Sequence, residues 1–214
     1  FSSTAAVYGV PEQIPVSETA PLNPINPYGM TKRTSEAILS DLAQSDPSFR
    51  YMALRYFNVA GADLQGRIGQ KYPKPTHLIT LALHTALRMR PCLSIFGQDY
   101  PTPDGTCIRD YIHVHDLAQA HVLALRSLEQ GSPSDTFNCG YGRGFSVHEV
   151  IRAVEKVTGC ALPTQMAGRR AGDPPALVAD ATRIRSRLAW KPSCDQLETM
   201  VETAWVWEKK LHRS

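Results

Sequence analysis

Short apolar runs alternate with longer segments of helical periodicity along most of this chain. Strand-like runs occupy residues 51–58, 93–97, 106–114 and 135–139, and apolar residues between them recur every three or four positions. Strands and helices in this order are typical of an α/β fold with a parallel sheet. Residues 1–8 have the character of a strand that ends in a central parallel sheet, where ligands of such folds bind.

The first helix is predicted over residues 27–45. Asn26 can cap it and Pro27 suits the first helical position. Its apolar stripe is predicted to pack on the sheet, which turns the opposite face toward the cleft. The stripe comprises Ser35, Ile38, Leu39 and Leu42.

Further helices are indicated by capping and stop signals. Asp116 is predicted to cap one helix, and Ser146 with Glu149 has the spacing of a capping box for another, which Gly159 ends. Other helices are predicted over residues 77–90, 180–188 and 195–212, and a strand over 163–167. The glycines at 140, 142 and 144 indicate a flexible turn.

Tyr28 and Lys32 share one face of the predicted first helix, one turn apart. An ammonium at that distance can hold a phenol in its ionised form, so Tyr28 is a candidate base. The spacing alone is common by chance, and a solvated helix face is the simpler interpretation of it. The surrounding motifs must decide between the two.

Composition excludes several classes of protein. With 43% apolar and 20% charged residues, the chain is typical of soluble globular proteins, and no window resembles a membrane span or a secretory leader. We therefore expect a cytoplasmic protein that does not enter a membrane. A net charge of +3 lacks the footprint of a nucleic-acid binder. Five scattered cysteines argue against disulfides and a zinc site, so no metal is expected.

Four motifs together resemble the extended short-chain dehydrogenase/reductase family. They are Ser2-Ser3-Thr4, Val7-Tyr8-Gly9, Asn26-Pro27-Tyr28-Gly29-x-x-Lys32 and Leu54-Arg55-Tyr56-Phe57-Asn58. The segment Phe96-Gly97-x-Asp99-Tyr100-Pro101-Thr102-x-Asp104-Gly105-Thr106-x-x-Arg109-Asp110-Tyr111-Ile112-His113-Val114-x-Asp116-Leu117 resembles the UDP-glucose 4-epimerase branch, and Arg169-Arg170-x-Gly172-Asp173 agrees. The resemblance covers the whole chain but only about the last two thirds of such an enzyme.

The resemblance implies a fold and a domain division. It implies an α/β fold with a partial Rossmann-type parallel sheet, whose amino-terminal half is missing, and a smaller mixed α/β substrate-binding domain. Residues 1–60 are expected to belong to the NAD-binding domain, with 116–139 returning to it. Residues 61–214 are expected to bind the UDP-sugar. The chain has no Gly-x-Gly-x-x-Gly loop for a dinucleotide pyrophosphate, so alone it is expected to be inactive and unstable.

The resemblance also implies the chemistry. Bound NAD takes hydride from C4 of the hexose while Tyr28 removes the 4-hydroxyl proton, giving a 4-keto sugar between UDP-glucose and UDP-galactose. Lys32 keeps Tyr28 ionised and also binds the ribose hydroxyls of the cofactor. Thr4 bridges the 4-hydroxyl and the tyrosine, although a strand-terminal threonine is more often a loop cap. Phe57 lies against the nicotinamide.

The expected substrate-binding residues extend across the second domain. Arg109 and Arg170 are expected to neutralise the diphosphate. Asp173 reaches a ribose hydroxyl, and Leu177 borders the hexose near its 2-substituent. We expect N-acetylated UDP-sugars to be poor substrates because leucine is intermediate in size. The full set is Thr4, Tyr28, Asn58, His77, Leu78, Ser94, Phe96, Arg109, Arg170, Asp173 and Leu177.

Three other interpretations remain open. A truncated, non-catalytic remnant would act as a binding or dimerisation module. A uronate 4-epimerase would need a cation at the C6 carboxylate, which the loops near Leu177 do not obviously supply. A 4,6-dehydratase would need an acidic pair where the chain has Thr4-Ala5-Ala6. The resemblance further implies a homodimer packed through the helix that bears Tyr28 and its neighbour.

Overall fold

The computed structural model describes residues 1–212 and shows an α/β protein. The strands are β1 (Ser2–Thr4), β2 (Met52–Tyr56), β3 (Asn58–Ala60), β4 (Leu93–Phe96), β5 (Ile108–His113), β6 (Asp135–Cys139), β7 (Gly144–Ser146), β8 (Thr164–Ala167) and β9 (Ala176–Leu177). The helices are α1 (Pro27–Ser45), α2 (Leu78–Ala86), α3 (Val114–Glu129), α4 (Val147–Thr158), α5 (Thr182–Arg187) and α6 (Leu197–Leu211).

The first sheet is parallel and has the order β1-β2-β6. Its register aligns Thr4 with Tyr56 and Tyr56 with Cys139, so the three carboxyl ends lie side by side. Strand β6 comes from far along the chain, after α3. The edge where ligands of open α/β sheets bind is therefore formed by residues from three distant segments.

A second sheet is organised around β5. It pairs in parallel with β3 and β9 and antiparallel with β7, while β4 and β8 form a separate parallel pair. Helices α2, α4 and α6 pack against one another over a core that includes Leu83, Ile95, Val154 and Met200. The strand predicted over residues 51–58 is divided at Phe57, because β2 and β3 join different sheets.

Helix α1 begins as predicted but buries a different face. Asn26 caps it and Pro27 opens it, yet Ile38 and Leu42 are exposed by 61% and 42%. The predicted stripe is wrong because Glu36, not an apolar residue, is the buried contact with the sheet. A charged side chain took that position because it has a buried partner of opposite charge on β2.

The cap of α3 also differs from the prediction. His113 precedes the helix and its Nδ1 accepts the His115 N–H at 3.0 Å. Asp116 lies fully buried in the first turn, where its carboxylate accepts the Cys194 N–H at 2.9 Å and the Tyr141 hydroxyl at 2.6 Å. Tertiary partners therefore use the carboxylate that was predicted to cap the helix.

The remaining local predictions are mostly confirmed. Ser146 and Glu149 form the capping box of α4, and Gly159 ends it in the left-handed conformation. Helix α2 is shorter than predicted and ends at Ala86. Gly144 lies in a strand rather than in a flexible turn. Among residues 1–212, no helix combines the length and apolarity needed to cross a membrane.

Candidate active site

The first turns of α1 place Tyr28 and Lys32 beside β1. The Asn26 side-chain carbonyl accepts the Gly29 N–H at 2.8 Å, which fixes the start of the helix. The Lys32 ammonium donates to the Ser2 carbonyl at 2.9 Å and lies 5.9 Å from the centre of the Tyr28 ring. Tyr28 is 51% exposed. The pair therefore shares one helix face at the sheet edge.

Helix α1 approaches the chain after β1 so closely that only glycine fits at position 29. A Cβ there would lie 2.5 Å from the Ala6 carbonyl oxygen. Ala6 belongs to a single 3-10 turn, Ala5–Tyr8, that follows Thr4. The glycine lets the helix rest on this turn, which sets how near Tyr28 comes to the end of β1.

Thr4 caps this 3-10 turn. Its hydroxyl oxygen accepts the Ala6 N–H at 3.2 Å, and the side chain is almost fully buried. This is the loop-cap role that a strand-terminal threonine commonly has. A hydroxyl that accepts one hydrogen bond still has its own proton to donate, so the cap leaves a donor available.

A buried ion pair fastens α1 to the sheet. The Arg55 guanidinium on β2 contacts the Glu36 carboxylate in a forked arrangement, at 2.6 Å from Nη2 and 3.0 Å from Nε. Both side chains are more than 90% buried, and the Ser3 hydroxyl donates to the same carboxylate. Glu36 lies one helical turn beyond Lys32, so the pair orients the residues at the front of the helix.

The ion pair extends into a buried polar network. Arg55 Nη1 donates to the Tyr8 hydroxyl at 3.0 Å, and Tyr8 donates to the Asn138 side-chain carbonyl at 2.7 Å. Burial raises the pKa of Tyr8 to about 12, so it stays a neutral donor. The network links α1 with β1, β2 and β6, which are the strands beneath the candidate site.

A separate cavity is lined by the eight residues that were expected to hold the nucleotide. Tyr28 and Leu177 do not line it. It lies among β3, α2, β4, β5 and the loop after β8. The expected residues that line it are Asn58, His77, Leu78, Ser94, Phe96, Arg109, Arg170 and Asp173. Six further residues line it: Thr76, Leu81, Leu93, Cys107, Tyr111 and Val147.

Charged side chains are concentrated on one wall of this cavity. Arg109 is held by Asp173 and donates to the Pro174 carbonyl at 2.7 Å. The Arg170 guanidinium carbon lies 3.8 Å from the centre of the Phe96 ring, a stacked cation–π contact. Asp173 was expected to reach a ribose hydroxyl, and in the structure it pairs with Arg109.

His77 enters the cavity from the start of α2. Burial lowers the pKa of its imidazole, which favours the neutral ring, and Gln70 Nε2 lies 2.9 Å from its Nδ1. Ser94 on β4 lies beside Gln165 of β8, with 2.9 Å between the Gln165 amide nitrogen and the Ser94 hydroxyl. These contacts orient polar groups of α2 and β4 in the cavity lining.

Phe57 and Leu177 lie outside the cavity, between it and the Tyr28 region. Both are buried in a small apolar cluster with Ala5 and Tyr8 of the turn after β1. In the register of β9 with β5, Leu177 is opposite Arg109. This cluster therefore connects the strand that carries Arg109 to the turn capped by Thr4.

The sequence contained a signal for some of the residues that motif reasoning missed. Cys107, directly before β5, alternates with Arg109 and Tyr111 of that strand, and all three side chains line the cavity. Burial raises the pKa of the Cys107 thiol, which keeps it protonated in the cavity wall. No such local signal existed for Glu36 and Arg55, because they meet only in the folded chain.

Comparison with known proteins gives consistent matches. Residues 1–140 match the NAD dependent epimerase/dehydratase family. The whole chain is 57% identical to the UDP-glucose 4-epimerase of Azospirillum brasilense. It also aligns in full, at 42% identity and a TM-score of 0.96, with a Stenotrophomonas maltophila UDP-glucose-4-epimerase bound to NAD and formylated UDP-arabinopyranose. A UDP-Glc/GlcNAc 4-epimerase from Campylobacter jejuni aligns with 98% of the chain at 52% identity and a TM-score of 0.81.

The chain spans 61% to 64% of the length of these three relatives. Its parallel sheet and its second, mixed region are those of epimerase structures over that length. The family match covers well over half of the 214 residues and includes β1, α1 and β2. The chain therefore belongs to the NAD dependent epimerase/dehydratase family.

Proposed function

We propose that this chain carries the acid–base and nucleotide-binding residues of a UDP-glucose 4-epimerase, which interconverts UDP-glucose and UDP-galactose through a 4-keto intermediate. The observation that carries the proposal is that eight residues, all implied by the family resemblance, line one cavity. The Tyr28 and Lys32 pair lies beside β1, where Lys32 donates to the Ser2 carbonyl, and the Phe57 and Leu177 cluster packs with the turn that follows this strand. A nucleotide held in the cavity would extend its sugar toward that pair.

Tyr28 is the base in this proposal. Its phenolate oxygen takes the proton from the 4-hydroxyl of the hexose and returns it after the keto sugar has turned over. Lys32 stabilises the phenolate electrostatically. The Thr4 hydroxyl keeps a proton to donate and hydrogen-bonds the same sugar oxygen.

The cavity is proposed to hold the UDP moiety while the hexose rotates. Arg109 and Arg170 offer forked donors suited to a diphosphate. Asp173 already pairs with Arg109, so bound diphosphate would share that guanidinium with the carboxylate. Firm contacts to the nucleotide and loose contacts to the sugar allow hydride return to either face of C4.

The residues present fit the nicotinamide end of NAD. An ammonium has three N–H donors, and Lys32 uses one of them on the Ser2 carbonyl, which leaves donors for ribose hydroxyls. Thr4, Tyr28, Lys32 and Phe57 are the residues proposed to contact the cofactor. When bound, NAD accepts the hydride from C4 and supplies it again.

Two finer points belong to the same proposal. N-acetylated UDP-sugars are expected to react more slowly than UDP-glucose, because Leu177 is packed against Phe57 and cannot withdraw easily. Equal rates on UDP-N-acetylglucosamine would contradict this.

We also propose a homodimer through α1, whose Met30, Ile38 and Leu42 are exposed by 47%, 61% and 42%. A monomer at micromolar concentration in sedimentation would contradict that assembly.

The activity can be tested with a fusion and a matched pair of variants. The chain is joined to the amino-terminal segment of the Azospirillum brasilense relative, and conversion of UDP-galactose is followed beside the unfused chain. Tyr28→Phe in the fusion is expected to reduce kcat by at least about 100-fold. Tyr51→Phe removes the hydroxyl of a tyrosine that precedes β2, at the other end of that strand from Tyr56, and should leave kcat unchanged.

The outcomes separate the proposal from its alternatives. A fusion that binds UDP but does not epimerise would favour a binding module. Equal activity of the Tyr28→Phe variant and the parent would remove Tyr28 from the base role. Turnover of a UDP-uronate faster than UDP-galactose would favour the uronate 4-epimerase.

A further inference from the structure

Three side chains from α2 and α6 converge at a point away from the candidate active site. His84 lies in the last turn of α2, and Glu208 lies near the end of α6. His212 comes directly after α6, one helical turn beyond Glu208. The Glu208 Oε2 atom is 3.0 Å from His84 Nε2 and 3.3 Å from His212 Nε2. One ligand atom from each residue lies within 4.8 Å of the other two.

These separations fit a tetrahedral metal centre. Zn²⁺ binds imidazole nitrogen and carboxylate oxygen at about 2.0–2.2 Å, so neighbouring ligand atoms of a tetrahedron are about 3.3–3.6 Å apart. The two measured separations are at or just below this range. Two imidazoles and one carboxylate are also an established zinc ligand set that leaves a fourth position for water.

The burial of Glu208 gives a second, independent indication. The residue is 3% exposed, and the ion pairs found among residues 1–212 join it only to the two histidines. A buried carboxylate needs a compensating positive charge, and an imidazole supplies one only when it is protonated. A divalent cation between the three side chains would supply it.

Access to the point is also present. The side chain of His212 is 32% exposed, whereas those of His84 and Glu208 are 13% and 5% exposed. An ion could therefore enter beside His212, and a water molecule could occupy the remaining coordination position. The rings of His84 and His212 are perpendicular, with centroids 5.4 Å apart, so they do not stack across the gap.

We propose that His84 Nε2, Glu208 Oε2 and His212 Nε2 bind one divalent transition-metal ion of the Zn²⁺ type. The ion joins the end of α2 to the end of α6. Because α2 begins at the cavity residue Leu78, the ion would stiffen the helix that forms one wall of that cavity. The site is independent of the proposed epimerase chemistry, since it lies on the opposite end of α2.

The test is metal binding by the untagged 214-residue chain. The chain is stripped with a chelator, kept reduced, and titrated calorimetrically with Zn²⁺; Co²⁺ is then added to a second sample and its visible absorption is recorded. We expect one ion per chain with nitrogen and oxygen ligands and a Co²⁺ spectrum of the tetrahedral type. The melting temperature should rise on addition of Zn²⁺ and fall again with chelator.

Variants decide whether these residues are the ligands. His212→Ala and His84→Ala should each weaken Zn²⁺ binding by at least about tenfold, since even residues outside the coordination shell alter affinity that much. His212→Ala alters a half-exposed residue and should fold normally. His148→Ala is the matched control, because that partly buried histidine lies on α4 and should leave affinity unchanged.

Two results would overturn the proposal. The first is the absence of Zn²⁺ binding by the folded parent chain, which would identify the three residues as a hydrogen-bonded cluster only. The second is binding that survives in both histidine variants, which would assign the ion to the cysteines. Five free cysteines compete for Zn²⁺, and for that reason the Co²⁺ bands and the variants are read together.

Discussion

The two parts of the candidate site are held in place in different ways. The cavity proposed to hold the nucleotide is lined by residues that contact one another, as Asp173 pairs with Arg109 and the Phe96 ring lies against Arg170. Tyr28, by contrast, is half exposed and owes its position to contacts on the far side of its helix. The proposed binding residues are fixed by their neighbours in the cavity, whereas the proposed base is held through its helix by the contact of Glu36 with Arg55.

The largest expected effect is on that buried ion pair. Glu36→Gln leaves the Arg55 charge buried without a partner and is expected to cost about 3–5 kcal/mol of unfolding free energy. Urea denaturation measures it. Glu198→Gln is the control, because its pair with Lys156 is largely exposed and should cost about 1 kcal/mol or less. Similar losses in both variants would contradict the anchoring role of Glu36.

The next largest effect concerns the close contact between α1 and the 3-10 turn after β1. Gly29→Ala places a methyl group 2.5 Å from the Ala6 carbonyl, and displacement of the helix should cost about 1–3 kcal/mol. In the active fusion, the same variant should lower kcat more than it raises the Kd of UDP. Gly168→Ala is the control, because a Cβ there meets no atom within 4 Å. Unchanged stability and kcat in Gly29→Ala would show that the close approach does not set the position of Tyr28.

A smaller effect is expected in the cavity. Arg109→Lys keeps the charge but loses the forked donors, so the binding free energy of UDP should weaken by about 0.5–1.5 kcal/mol, or up to about tenfold in Kd. The kcat of the fusion should stay within about threefold. Arg67→Lys is the control, since that exposed arginine pairs only with Asp63 of its own loop. A large fall in kcat with constant Kd would reverse the assigned roles of the two regions.

The smallest expected effect is on how the melting temperature depends on acid, through Asp104 in the loop before β5. Burial acts to raise the pKa of Asp104, but hydrogen bonds from Ser146 and Thr106 outweigh it and the pKa is lowered from 3.8. A lowered pKa stabilises the fold above the ordinary value, and this contribution is lost as the pH falls through the folded value. Asp104→Asn should therefore show a shallower loss of melting temperature below pH 4 than the parent. An identical slope would remove Asp104 from the acid response.

Sequence reasoning succeeded where spacing along one element decides position. The strand-like run over residues 106–114 and the capping signals around α1 and α4 are local, and the structure has β5, α1 and α4 within or close to the predicted ranges. The cavity residues come from loops and strands that belong to sequence motifs, and these motifs resemble those of the family. Their convergence follows once those elements are placed.

Prediction failed where a residue has a partner far along the chain. The hydrophobic pattern of α1 assumes that charges face water, and Glu36 is buried only because Arg55 meets it from β2. Asp116 likewise lost its predicted cap role to Cys194 and Tyr141. Cysteine spacing carries no signal for the cluster of histidine and glutamate side chains, because His84 and Glu208 are 124 residues apart and meet only in the folded chain.

The central claim is that the cavity holds the nucleotide and the Tyr28 turn performs the chemistry. Calorimetric titration of UDP into the fusion with the Azospirillum brasilense segment tests it most directly, with Tyr28→Phe and Arg109→Ala as variants. We predict one UDP site per chain, a Kd that Tyr28→Phe leaves unchanged, and a Kd that Arg109→Ala raises by at least about tenfold. Absence of UDP binding, or a Kd that depends on Tyr28 and not on Arg109, would contradict it.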